Sequence, residues 1–359
     1  MVTRKDITVD GATDSTLPGV RGLFQQRLSG DDALLRLAER RFREAGMPAE
    51  VYAENPDQLE YLLGYVPEHH TLPVVHLNRS ADLLRQSGRD LVESFANRFA
   101  GRVAGLVVHD KPAMAERLPD VVDAMRALGT PAPGRGARPL IYLEYAAGLP
   151  VDLFANLGEQ LASVERASLC IDIGHVGIEH ARSVTLHSLS DAAWSNLSLA
   201  DPRLPEVAEQ VQAATDSARA LVLQLIRRIG AIGKQVHFHL HDGHPLVSRQ
   251  PDHFSFFSRF PVSFEVGGAY ALPPLFGPDG LAAVLDEAVR SCAPLDPSFS
   301  LEIHQVDGRL PLGAAAELFT HWRDLTNAER MNYWLGVLAD NHMLATSFLA
   351  QISQRRVLI

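Results

Sequence analysis

Short apolar runs rich in valine, isoleucine and leucine recur along the chain, and most are followed by a segment whose apolar residues return every three or four positions. The first pattern suits a strand buried on both faces and the second an amphipathic helix, so their alternation predicts βα units around a parallel sheet. Candidate strands lie at 50–54 (EVYAE), 72–77 (LPVVHL), 103–109 (VAGLVVH), 139–144 (PLIYLE), 168–172 (SLCID), 236–241 (VHFHLH) and 299–303 (FSLEI). A closed barrel needs an eighth, and 16–23 (TLPGVRGL) is the place for it, although Pro18 and Gly19 weaken the pattern. Helices are expected at 81–100 and 114–128, and across LPEVAEQVQAATDSARALVLQLIRRIG within 183–233. The fold class expected is α/β, a (β/α)8 TIM barrel with a helical insertion and a C-terminal helical extension.

Three divisions of the chain follow. Residues 1–49 form an N-terminal segment containing the first strand, 50–310 the catalytic barrel and 311–359 the helical extension. The insertion at 183–233 is expected to cover one mouth of the sheet. Residues 243–280 are rich in Pro, Gly, Phe and Ser, and read as a long loop of the kind that is usually functional. The tail from 316 reads as two helices in which Trp322 and Trp334 are packing anchors.

Polar residues fall at telling places. His76, His109, Glu144, Asp172 and Glu302 each stand at or near the C-terminal end of a candidate strand. A buried strand does not finish in an unpaired ionisable group without compensation, because such a charge costs several kcal/mol or more. In a parallel α/β sheet these strand ends converge on the face where active sites are built. A divalent metal ion is the compensation that fits a mixed set of histidines and carboxylates. Each residue alone also has an ordinary reading, a hydrogen-bonded core histidine or a glutamate paired with an arginine, and it is the convergence that carries the inference. In CIDIGH a glycine lies between Asp172 and His175, so the chain turns directly after the strand and both side chains can face one ion. In VHFHLHDG strand alternation puts His237, His239 and His241 on one face. His237 lies deepest and is read as structural, while His239 and His241 compete for the metal. Asp242 and His244 follow in the loop, and the Asp252–His253 pair is read equally as a further ligand or as a solvated loop pair.

Bulk properties narrow the function. The chain has 359 residues, 46% hydrophobic and 21% charged, enough apolar material for a large core and a composition that excludes disorder. Its net charge of −10 and the lack of a basic run argue against nucleic acid as a partner and favour a small-molecule substrate. Two distant cysteines, Cys170 and Cys292, cannot form a disulfide framework or a Cys-x-x-Cys pair, which suits a reducing compartment. Neither an apolar core for a signal peptide nor a membrane-spanning run is present, so the expectation is a cytoplasmic protein without membrane contact.

With these residues in hand, the chain resembles the xylose-isomerase-like TIM-barrel superfamily, which contains sugar-phosphate isomerases and epimerases, inosose dehydratase and endonuclease IV. The resemblance spans about residues 50 to 305 and rests on the order of its motifs: VVHLN (His76), LVVHDKP (His109), IYLEY (Glu144), CIDIGH (Asp172, His175), HLHDG (His239) and LEIH (Glu302). It implies one divalent ion (Mn, Zn, Fe or Mg) held by Glu144, Asp172, His239 and Glu302. Glu144 and Glu302 are also implied as the catalytic acid/base pair and His175 as substrate-binding, and His241 is read as a further substrate-binding residue. A homodimer is a family expectation.

The reading that follows is a metal-dependent isomerase or epimerase of a sugar or related polyhydroxylated molecule, working by carboxylate-mediated proton transfer. The alternative is a multinuclear phosphoesterase similar to endonuclease IV, in which His76, His109, His175 and Asp252 add ligands for a second or third ion. There the sequence runs Asp252-His253-Phe254 instead of Asp-x-His, which leaves the third-metal motif incomplete. A lyase or dehydratase and an iron-dependent oxidase share the same scaffold. A barrel whose metal only rigidifies a binding surface is the non-enzymatic alternative.

Overall fold

In a computed structural model, residues 18–24, 31–130, 137–186, 204–243, 257, 265–266, 270–271, 274–302 and 326–357 are described. Eight parallel strands close into a barrel: β1 (Val20–Phe24), β2 (Ala49–Ala53), β3 (Val74–Leu77), β4 (Gly105–His109), β5 (Leu140–Glu144), β6 (Ala167–Asp172), β7 (His237–Leu240) and β10 (Ser298–Leu301). Between β7 and β10 in the chain, β8 (Glu265–Val266) and β9 (Tyr270–Ala271) form a separate two-stranded antiparallel sheet. The eighth strand is real, and it begins just after the Pro18-Gly19 pair that obscured it. Pro18 and Gly19 precede the ladder, where a missing donor costs nothing.

The strand period of two sorts side chains between two cores. Outward residues such as Val51, Val75, Leu106, Val108, Ile141, Leu143, Phe238 and Phe299 pack under the helices in one continuous apolar layer. Inside the barrel, Val74, Val107, Tyr142 and Cys170 form a small apolar cluster. Gly105 makes room for it, since a Cβ there would lie 2.3 Å from the Tyr142 ring. Most of the remaining inward positions are polar, and most of the site is built from them.

The helices form the outer layer. In order they are α1 (Asp32–Glu44), α2 (Pro56–Leu63), α3 (Gln86–Arg98), α4 (Leu118–Gly129), α5 (Val151–Leu161), α6 (Ile173–Leu186), α7 (Leu204–Gly230), α8 (Gly277–Ser291) and α9 (Asn327–Val357). Local signals explain several starts: Asp31 caps α1 by accepting from Leu34 N, and Asn55 caps α2 with Pro56 in its first turn. The barrel thus opens with β1 and α1, ahead of residue 50.

Two expectations change. The helix at 204–230, expected over a mouth, packs instead on the flank against α5, α6 and α8, burying Ala214, Ala218, Val222, Leu225, Ile226 and Ile229. Its apolar stripe is what a helix facing the barrel wall requires. The loop expected to reach 280 ends earlier, because Gly277, at φ +62°, starts α8 with Pro278 in its first turn. Of the tail, the described part is one 31-residue helix, α9, which packs on α1, α8 and β1 and buries Trp334. Trp322 lies outside the described residues. Among the described residues no helix is long and apolar enough to cross a membrane.

Candidate metal centre

Strand register brings the polar residues together. Asp172 on β6 is the Cα partner of His239 on β7, His239 is the partner of Ser300 on β10, and His109 on β4 is the partner of Glu144 on β5. Glu302 follows β10 directly. Glu144, Asp172, His239 and Glu302 are all buried, and each offers one ligand atom within 4.8 Å of the others. Three carboxylates and one imidazole in that space form an oxygen-rich donor set suited to a divalent cation.

The atoms fit an ion in a second respect. His239 Nδ1 is buried and makes no hydrogen bond, although Glu302 Oε2 stands 3.1 Å and Glu144 Oε1 3.4 Å from it. Glu144 Oε2 is likewise buried without a hydrogen bond. Buried polar atoms are nearly always hydrogen-bonded, so acceptors and an imidazole nitrogen converging in this way mark a candidate site for a cation.

Other sequence-predicted residues surround this set. His76 Nε2 lies 3.1 Å from His109 Nε2 and 3.3 Å from Glu144 Oε2, and His109, Glu144 and His76 form a second group able to hold an ion. Asp172, His175 and His241 form a third. Asp172 Oδ1 accepts from His175 N at 2.7 Å, which caps α6, and lies 2.8 Å from His241 Nε2. Gly174 is required here, since a Cβ would fall 2.0 Å from the His241 ring. Strand alternation cannot choose between His239 and His241, but the geometry places His239 in the four-ligand group and His241 against Asp172. Asp252, His253 and His244 lie outside the described residues.

Electrostatics follow from burial and from charge. Burial works against the ionised form of Glu144, yet His109, His239 and His76 hold its carboxyl down at about 2. Burial opposes a charge on His239 too, but Cys170 and the carboxylates of Glu50, Glu302 and Glu144 raise it well above the ordinary imidazole value. His76 is raised in the same way, by Glu144 and Glu50 against burial. Burial dominates at His109 and His237, pushing each down to about 4.

Sequence reasoning missed Glu50. It is fully buried on β2, 2.9 Å from both His237 Nε2 and His239 Nε2 and 3.3 Å from His76 Nδ1. The signal was available, because Glu50 is an acidic residue inside an otherwise apolar strand, two positions before Tyr52, whose ring lies 5.4 Å from that of His76. Asp242, which follows β7, acts as a strap: it accepts from the backbone N–H groups of Gly243, Phe276 and Gly277 and so ties the end of β7 to the start of α8.

The chain is an eight-stranded TIM barrel. No protein-family model matches it, and no curated protein does. Solved structures similar to it include a xylose isomerase-like TIM barrel protein from Mycobacterium smegmatis in complex with magnesium, at 14% identity over 90% of this chain and 97% of that one, with a TM-score of 0.44. A thermostable mutant of a xylanase from Cellvibrio japonicus shows 12% identity over 81% and 87%, with a TM-score of 0.42. A citrate lyase from Burkholderia xenovorans shows 13% identity over 94% and 98%, with a TM-score of 0.34.

Proposed function

We propose that the protein is a divalent-metal-dependent isomerase or epimerase of a sugar or related polyhydroxylated small molecule. The observation that carries this reading is the convergence of Glu144, Asp172, His239 and Glu302 within 4.8 Å at the C-terminal ends of four strands. These four would hold the ion. When bound, the ion supplies Lewis acidity to adjacent carbonyl and hydroxyl oxygens and so acidifies the C–H bond beside the carbonyl.

The chain's own residues then have distinct tasks. Glu144, whose carboxylate faces His76, His109 and His239, is the group that would accept a proton from that carbon. Glu302, on the strand end across β6 and β7, returns a proton to the opposite face of the same carbon in an epimerisation, or to the neighbouring carbon in an isomerisation. His175 and His241, grouped around Asp172, are assigned to substrate oxygens. The half-buried Tyr52 packs beside His76, with ring centroids 5.4 Å apart.

A second reading, a multinuclear phosphoesterase, is favoured by one observation. Glu144 presents one oxygen to His239 and the other to His76 and His109, as a carboxylate shared between two ions does. Incubating the metal-loaded protein with a panel of aldoses and ketoses in heavy water separates the two. Isomerase chemistry incorporates deuterium beside the carbonyl, and Glu144→Gln and Glu302→Gln abolish the incorporation. Release of nitrophenol from an aryl phosphodiester, with no exchange into any sugar, would replace the first reading by the second.

A further inference from the structure

Beneath the four converging ligands the barrel holds a chain of polar side chains that the proposed chemistry does not use. Arg21 on β1 is buried, and donates through Nη2 to the carbonyl of Leu72 at 3.1 Å and through Nη1 to Ser298 Oγ at 2.6 Å. A guanidinium can only donate. Ser298 therefore accepts from Arg21, and its own hydrogen is directed to His237 Nδ1, 3.0 Å away. With Nδ1 accepting, the neutral ring of His237 carries its proton on Nε2, which lies 2.9 Å from Glu50 Oε2, with Ser300 Oγ a longer neighbour at 3.3 Å. The other carboxylate oxygen, Oε1, lies 2.9 Å from His239 Nε2. A carboxylate only accepts, so His239 donates from Nε2 and its Nδ1 is turned toward Glu302 and Glu144.

We propose that Glu50 is a positioning residue: oriented by Arg21, Ser298 and His237, it takes the Nε2 proton of His239 and leaves Nδ1 as the nitrogen that coordinates a divalent ion. The proposal rests on the metal-dependent reading given above. A carboxylate behind a ligating histidine fixes the ring's orientation and the nitrogen it presents, and raises its basicity. Glutamine cannot replace it, because its single acceptor oxygen would meet two imidazole N–H groups while its amide presents hydrogens to one of them. A glutamate that only filled a polar core would leave the choice of nitrogen on His239 unaffected.

The test uses the full chain labelled with 15N-histidine and Zn2+ alone as the probe. Long-range proton–nitrogen correlation spectra, with His239 assigned through His239→Asn, read which nitrogen carries the proton and which the metal. The expected result is zinc on Nδ1 and a proton on Nε2, with Glu50→Gln binding Zn2+ about 10–100-fold more weakly by chelator competition. Ser298→Ala, a smaller change that removes the orientation of His237 together with one acceptor of Arg21, should weaken zinc binding to a lesser degree with the folded state retained, and it decides the matter if Glu50→Gln does not fold. Zinc on Nε2 of His239, or unchanged affinity in a folded Glu50→Gln or Ser298→Ala protein, would overturn the proposal while leaving the metal reading intact. No zinc bound by the unmodified protein would overturn that reading and the proposal with it.

Discussion

Asp172 has two duties that substitution can separate. One oxygen caps α6 through His175 N and faces His241, and the residue also belongs to the four-ligand group. Asparagine caps a helix about as well as aspartate, whereas alanine does not, and loss of a cap costs about 0.5–2 kcal/mol. Asp172→Asn should therefore keep the stability of the metal-free protein close to that of the unmodified chain yet lose most metal affinity. Asp172→Ala should lose both. Chemical denaturation of the metal-free variants beside metal titrations checks this, and equal destabilisation by the two substitutions would contradict the cap. Glu50 shows the limit of local reading: its place in an apolar strand marks it as unusual, but its partner His237 lies 187 positions away, so the sequence around it does not identify the contact.

The elements that position these residues depend on one another. α9 closes the helical layer between α1 and α8, with Met331, Trp334, Leu335, Leu338, Ala345 and Leu349 buried. Trp334 is the largest side chain among the most deeply buried, and truncating such a residue costs about 3–5 kcal/mol because a cavity is left where packing was dense. Trp334→Ala should lower unfolding stability by about that amount while leaving the metal stoichiometry of the folded fraction unchanged. A change below about 1 kcal/mol would mean that α9 is dispensable to the barrel. The Asp242 strap predicts a smaller effect. Asp242→Asn turns an amide toward the N–H of Gly277, leaves that donor unpaired and should cost about 1–3 kcal/mol by the same denaturation measurement.

Taken together, the interior is a set of buried carboxylates facing buried histidines, and on the proposed reading its charge balance is linked to protons and metal alike. Burial opposes a charge on His239, but without an ion the carboxylates around it raise its affinity for a proton above the ordinary value. An ion on Nδ1 must displace that proton, so uptake should release about one proton and weaken roughly tenfold for each unit the pH falls below the raised value. Calorimetric titration in two buffers of different ionisation heat measures the release, and zero release would show that His239 is not a ligand.

Much of this architecture is legible in the amino-acid sequence itself. Strand alternation places His76, His109, Glu144, Asp172, His239 and Glu302 at strand ends because apolar periodicity and polar termini are local signals. What is not legible depends on pairing across the barrel. Register separates His239 from His241, long-range contact reveals Glu50, and burial along α7 sends that helix to the flank instead of the mouth. β1 is hidden by Pro18 and Gly19, which lie just outside the ladder.

The most direct test is the metal content of each chain by elemental analysis, on protein purified without added metal, for the unmodified sequence, Glu302→Ala and His109→Ala. One ion per chain, lost from Glu302→Ala and kept in His109→Ala, is the predicted result. Two or three ions with His109 required, or no metal in any of the three, would contradict it.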